Sequence, residues 1–172
     1  MEIFLEILKI SIPLILCLLV VYLVIDKFLK NEDKRRNYEI RKKDSSEILR
    51  LKLQAYERLI LFLERSSPIA LVHRLKQKDM NPEMLRFSMV KTIQTEFEHN
   101  LVQQIYMSDE AWHFVTKAKD TLINLINNTA KIAVAEKKEF LPALQEQLDE
   151  LDAEPQDIAI RYLKSEIRKT LI

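Results

Sequence analysis

The chain has 172 residues, 27 Lys/Arg against 26 Asp/Glu, and no glycine. Without glycine, neither phosphate-cradling signature (G-x-x-x-x-G-K-[ST] or G-x-G-x-x-G) can be written, and two-residue hairpins lose their usual residues. A single cysteine excludes an intramolecular disulfide, and abundant Leu, Ile, Lys, Glu and Gln point to an all-α fold whose helices end on Asn or Asp in place of glycine.

The first element runs from Ile3 to Ile25. Its uninterrupted apolar core, Ile10 to Ile25, spans about 24 Å as a helix, and the segment from Ile3 to Lys9 supplies the rest of a hydrocarbon layer of about 30 Å. Glu6 and Lys9 share a face and pair near the interface, where Lys9 snorkels outward. Pro13 is tolerated as a local kink in a packed span. Apolar residues on every face, flanked by charge, read as a transmembrane helix rather than a buried helix of a globular core. A cleaved signal peptide needs a basic start and a small-residue cleavage site, and neither is present here. Cys17 follows Ile15 and Leu16, which are too large to precede a lipid-modified cysteine.

Past the span the chain turns basic. Lys27, Lys30, Lys34, Arg35, Arg36, Arg41, Lys42 and Lys43 follow it, whereas Lys9 is the one cation among residues 2–9. The positive-inside rule then places the N-terminus outside and everything after Asp26 in the cytoplasm. Residues 1–43 carry nine basic and six acidic side chains, and residues 44–172 carry 18 and 20. The larger part has no electrostatic footprint for nucleic acid. The basic segment sets topology or attracts anionic headgroups.

Three regions follow: an anchor at 1–26, a basic juxtamembrane stalk or linker at 27–47, and a helical domain at 48–172. The stalk is charged throughout with no apolar stripe, so it is a solvated helix or a mobile linker. From Ile48, the residues Leu49, Leu53, Tyr56, Ile60 and Leu63 recur at helical spacing, and Leu51, Ala55, Leu59 and Phe62 widen the stripe. Ser67 caps and Pro68 opens a short helix carrying Ile69, Leu71, Val72 and Leu75. Asn81, Pro82 and Glu83 start a long helix that runs to about Met107. Ser108-Asp109-Glu110 starts the next, to about Lys138. Another spans Phe140 to Leu151, and Pro155 opens a last one through Ile158, Tyr162, Leu163 and Ile167. The residues from Glu136 to Asp157 are acid-rich and read as a solvated face. Short linkers favour a compact bundle.

One pattern bears on chemistry. Glu96-Phe-Glu-His99 and Glu110-Ala-Trp-His113 both read Glu-x-x-His, the pair that two helices contribute to a di-iron carboxylate bundle, with Glu57 and Glu64 available as further ligands. Helical phase opposes it. With Phe97 inward, Val90, Ile93, Leu101 and Gln104 lie within about 40°, and His99 lies about 160° away. With Val115 inward, Ala111, Leu122, Ile126 and Ala133 agree, and His113 is again about 160° away. The two motifs also differ in axial level by about 15 Å in an antiparallel pair. Asn100 and Gln104, near the stripe, are expected to fix register through hydrogen bonds. Trp112, Tyr106 and Phe114 read as packing anchors, and His73 as packed or solvated.

The runs Gln54-Ala-Tyr-Glu-Arg-Leu-Ile-Leu-Phe-Leu-Glu-Arg65 and Glu96-Phe-Glu-His-Asn-Leu-Val-Gln-Gln-Ile-Tyr-Met-Ser-Asp-Glu-Ala-Trp112 resemble those of an uncharacterised family of short, singly membrane-anchored helical proteins from Bacteroidetes-type bacteria. The resemblance covers most of the chain, including the span. It implies no activity and carries over no catalytic residue.

The sequence therefore predicts an all-α protein: a transmembrane helix followed by a compact cytosolic helical bundle, in a bacterial inner membrane. It is expected to be an interaction or scaffold module, not an enzyme. Its partners are the lipid bilayer, through Ile3 to Ile25, and an unidentified protein or a second copy; nucleic acid is not among them. No catalytic, cofactor-binding or metal residue is assigned. Two rivals are a membrane-tethered metal-dependent enzyme using the Glu-x-x-His pairs and an accessory subunit of a membrane complex.

Overall fold

The absence of glycine leaves long runs of helix-forming residues unbroken, and the chain is helical almost throughout. In the computed structural model, residues 2–171 are described, with side chains for residues 19, 21–32, 34–36 and 38–170. Six α-helices follow one another: α1 Glu2–Arg65, α2 Pro68–Leu75, α3 Pro82–Asn100, α4 Asp109–Ala135, α5 Phe140–Asp149 and α6 Pro155–Leu171. A 3-10 helix, Leu101–Tyr106, joins α3 to α4. No strand occurs among the described residues. The expectation of a membrane span falls largely on residues 3–18 and 20, whose side chains lie outside the described set, as do Glu6, Lys9, Pro13 and Cys17. Among the described residues, no helix is long and apolar enough to cross a membrane.

Two compact units divide the chain, Met1–Leu49 and Arg50–Ile172. The first is helical throughout its described length, so residues 27–47 are a helix rather than an irregular linker. Its described side chains are almost all exposed. Two surface ion pairs stitch successive turns, Lys30 to Asp26 at 2.7 Å and Arg35 to Glu39 at 3.1 Å. Both are i,i+4 pairs, the spacing at which helical side chains meet. The Glu39 hydrogen bond, with its charge, holds the Arg35 guanidinium above its ordinary range.

The second unit has the core. Helix α4 is its centre, packed against α3, α5 and α6, and α2 bridges α3 and α5. Along α4, Ala111, Val115, Leu122, Ile126 and Ala133 are buried, the stripe that the periodicity predicts. Around it close Leu59, Phe62 and Leu63 of α1, Leu71 of α2, Leu85, Met89 and Ile93 of α3, Leu144 of α5 and Leu163 of α6. Each such side chain removed from water contributes about 1.5–3 kcal/mol.

The structure corrects the predicted α1 stripe. Leu53 is 38% exposed and Ile60 only half-buried, whereas Ala55, Tyr56, Leu59, Phe62 and Leu63 are buried. The buried face is centred about 80° from the line through Leu49, Leu53, Tyr56, Ile60 and Leu63, on the side where Ala55, Leu59 and Phe62 widen the predicted stripe. Apolar residues cover more than half the circumference here, so periodicity alone does not choose the centre; the packed neighbours do. On α6, likewise, Ala159, Ile160 and Leu163 are buried while Ile158 is exposed.

A second correction concerns the long helix to Met107, which stops at Asn100. The Asn100 side-chain amide donates to the Glu96 carbonyl at 2.7 Å, competing with the backbone ladder. The chain tightens into 3-10 geometry, and the different period destroys the predicted phase. Leu101 and Gln104 are exposed instead of buried, together with Val102 and Ile105 at 67% and 68%.

Helix ends show how a glycine-free chain manages its caps. Asn81 Oδ1 accepts from Met84 N at 2.8 Å, and Ser108 Oγ from Ala111 N at 3.0 Å, both as predicted. Ser67 makes no side-chain cap; its carbonyl accepts from Leu71 N, and the neighbouring Ser66 hydroxyl donates to the Phe62 carbonyl. At the end of α4, Lys137 takes φ 55°, with Lys138 N donating to Ala133 O and Lys137 N to Val134 O. This is a Schellman motif with lysine where glycine is preferred. Asp79, φ 68°, occupies the turn before α3. The sequence expects Asn or Asp at helix ends in place of glycine; the left-handed position that ends α4 is a lysine, and Asp79 takes its left-handed conformation in the turn beyond α2.

Candidate functional site

The Glu-x-x-His pairs do not converge. His99 and His113 are both exposed. Glu96 is half-buried and pairs with Arg65 at 3.3 Å. Glu110 is exposed and accepts a hydrogen bond from the Tyr162 hydroxyl, which with burial raises the Tyr162 pKa. Glu57, Glu64 and His73 are also exposed. Among the described residues, no group of three or more His, Cys, Asp or Glu is placed to hold a metal ion.

Polar side chains meet instead where α1, the start of α4 and α6 come together. Glu166 accepts from the Tyr56 hydroxyl at 2.5 Å through one oxygen and from the Ser108 hydroxyl at 2.8 Å through the other. Ser108 simultaneously caps α4. The carboxylate thus sits at a helix N-terminus, where the macrodipole favours negative charge. Burial, then the Glu166 hydrogen bond and charge, push the Tyr56 phenol above its ordinary range. Tyr56 is therefore held as a donor and is poorly suited to act as a base. Every group in this node has a partner, so its chemistry is that of a clasp tying α6 to α1 and α4. In sequence, Tyr56 falls on the apolar stripe of α1, and no local pattern marks Glu166.

Trp112 and Phe114 are packing anchors, as predicted. Trp112 stacks on Phe97 at 5.3 Å, Phe97 contacts Phe62 at 5.9 Å, and the Lys119 ammonium lies 4.5 Å from the Phe97 ring centre. Phe114 stacks on Tyr162 at 4.2 Å.

An apolar groove of ≈ 270 Å³ lies between α4 and the α5–α6 turn. Phe114, Ala118, Leu151, Ala153, Pro155 and Ile158 line it, with Lys117 and Thr121. It lies just below the roughly 300–1,000 Å³ of small-molecule sites and suits a single large side chain better than a cofactor. No nucleophile–base pair or cluster of ligating groups faces it. What the arrangement offers is a recess for a protein side chain.

A search of curated proteins finds no match, and neither does a search of solved structures. A family of unknown function (DUF7935) matches residues 2–170. That match covers nearly the whole of both compact units, and the chain belongs to this family.

Proposed function

We propose that this protein is a single-pass membrane-anchored interaction module, holding its helical second unit at the cytoplasmic face of the cell membrane. The observation that carries the reading is the described end of the apolar stretch. Leu19, Val21, Tyr22, Leu23, Val24, Ile25, Phe28 and Leu29 are all exposed, and they point in every direction around α1. A helix apolar on all sides is stable only when lipid or protein surrounds it. In sequence the same run continues without a charge from Ile10 to Ile25, and eight cations follow it. That asymmetry favours an external N-terminus and a cytoplasmic second unit. The second unit lends the reading its other half: a well-packed bundle, a recess for a side chain, and a Tyr56–Ser108–Glu166 cluster whose groups are all partnered.

The test is a reporter of compartment fused after Ile172. Activity characteristic of the cytoplasm supports the orientation; activity characteristic of the outside overturns it.

A further inference from the structure

In the first unit, cations surround one exposed aromatic side chain: the helical neighbours of Tyr38 three and four residues away are Lys34, Arg35, Arg41 and Lys42. At about 100° per residue, Lys27, Lys30, Lys34, Tyr38, Arg41 and Ser45 fall within about 80° of one another. Arg35 and Lys42 flank that stripe. Asp26 and Asp44 lie about 40° beyond one edge of it, and Glu32, Glu39 and Glu47 share the far side of the helix with Arg36 and Lys43. Lys34, Arg41 and Lys42 make no ion pair among the described residues. At the middle of this basic face stands Tyr38, 69% exposed.

Lipid headgroups do not account for the whole face. Arg41 lies sixteen residues beyond Ile25 on an unbroken helix, or about 24 Å along its axis. The headgroup layer adds only about 5–7 Å to each side of the hydrocarbon, and salt screens charges beyond about 8 Å. The distal cations therefore stand clear of the bilayer, where a protein surface can meet them.

The complementary surface is present on the same chain. Residues 149–157 contain Asp149, Glu150, Asp152, Glu154 and Asp157 and no cation. Asp149, Glu150, Asp152 and Asp157 are exposed and make no ion pair among the described residues. This turn forms one wall of the apolar groove through Leu151, Ala153 and Pro155. An aromatic side chain ringed by cations thus has its counterpart in an apolar recess beside unpaired carboxylates. Lys117, the cation in that lining, stands on the opposite wall, on α4.

We infer that the partner is a second copy of this chain: Tyr38 of one copy seats in the groove beside the α5–α6 turn of another, with Lys34, Arg41 and Lys42 against the acidic turn. Reciprocal seating closes a two-fold dimer in which each copy gives its stalk and receives the other's. The inference names the partner for the interaction-module reading and rests on it for the exclusion of lipid.

The test uses two differently tagged full-length copies, both carrying Cys17→Ser, co-expressed and oxidised in native membranes. One copy carries Tyr38→Cys and the other Ile158→Cys. The expected result is a disulfide-linked band bearing both tags, absent when Ile158→Cys is replaced by Lys91→Cys on the exposed face of α3. Lys34→Glu with Arg41→Glu should abolish the mixed band, and Asp152→Lys with Asp157→Lys on the other copy should restore it. No mixed band above the Lys91→Cys control overturns the inference. So do Tyr38→Cys homodimers without a mixed band, or, when both cysteines are placed on one chain, a crosslink confined to that chain. Light scattering of the unaltered protein in detergent provides a readout free of substitutions: a dimer that weakens at about 1 M salt, where screening shortens to about 3 Å, is expected, and a monomer at every concentration and salt contradicts it. Fractionation of the same cells separates the two proposals. Membrane-bound protein without the mixed band sinks the dimer alone, and crosslinked protein in the soluble fraction sinks the anchor alone.

Discussion

The two units solve the problem of being helical in opposite ways. In the second, helices persist because each buries a stripe: Leu122 and Ile126 of α4 and Leu59 of α1 are wholly inaccessible. In the first, the described residues bury almost nothing, and the helix rests on intrinsic propensity and on i,i+4 pairs such as Lys30 with Asp26. Tertiary packing of an apolar face, the usual source of helical stability in proteins, is missing from these residues. The contrast teaches that the second unit carries its own stabilising interior, whereas the described residues of the first do not.

Substitutions in the two units should therefore differ sharply. The largest effect is expected at the centre of α4, where Leu122→Ala opens a cavity and costs about 2–5 kcal/mol in chemical denaturation. The matching change on the first unit, Ile40→Ala, should stay within about 0.5 kcal/mol. Similar losses at the two positions would erase the distinction.

Next in size is the clasp of Tyr56, Ser108 and Glu166. Tyr56→Phe removes a hydrogen bond to a carboxylate and should cost about 1–2 kcal/mol. It also has a pH signature. The folded-state pKa of Tyr56 is raised above its unfolded value, so the unfolded chain loses this proton first. The stabilisation is then complete below about pH 10 and declines as pH rises beyond it. Denaturation midpoints measured from neutral to alkaline pH should fall more steeply in the natural protein than in Tyr56→Phe; parallel curves would remove Tyr56 from the account.

A smaller effect of opposite sign is expected at Lys137. A left-handed conformation costs a residue with a Cβ roughly 1–2 kcal/mol, partly offset by the entropy that glycine loses on folding. Lys137→Gly should raise stability by about 0.5–1 kcal/mol, and a loss in thermal melts would show that its side chain matters more than its backbone. At the bottom of the scale, changing both His99 and His113 to Gln should leave stability and bound-metal content unchanged. A stoichiometric metal that disappears in that double variant would revive a catalytic reading of the Glu-x-x-His pairs.

The parts of this structure that sequence reveals are those with local causes. Asn81 and Ser108 cap because their side chains reach amides three residues on, and α4 shows its stripe because only one face is apolar. Where the cause is tertiary, the reading fails. Leu53 and Ile60 fit a helical period on α1, but its neighbours pack around Ala55 and Leu59. The end of α3 at Asn100 turns on one side-chain hydrogen bond. The clasp joins residues 110 positions apart in sequence, and no spacing rule connects Tyr56 to Glu166. The cations around Tyr38, by contrast, are legible from helical spacing alone. They escape a search for apolar stripes because they are lysine and arginine.

The central claim is that residues 3–25 hold this protein in a membrane, and alkaline carbonate extraction of cells expressing the full chain tests it most directly. The account predicts that the protein stays in the membrane pellet after the wash, and that replacing Leu16, Leu19 and Val20 with Lys, each costly at the centre of a span, releases it. Full release of the unaltered chain into the supernatant would contradict the account.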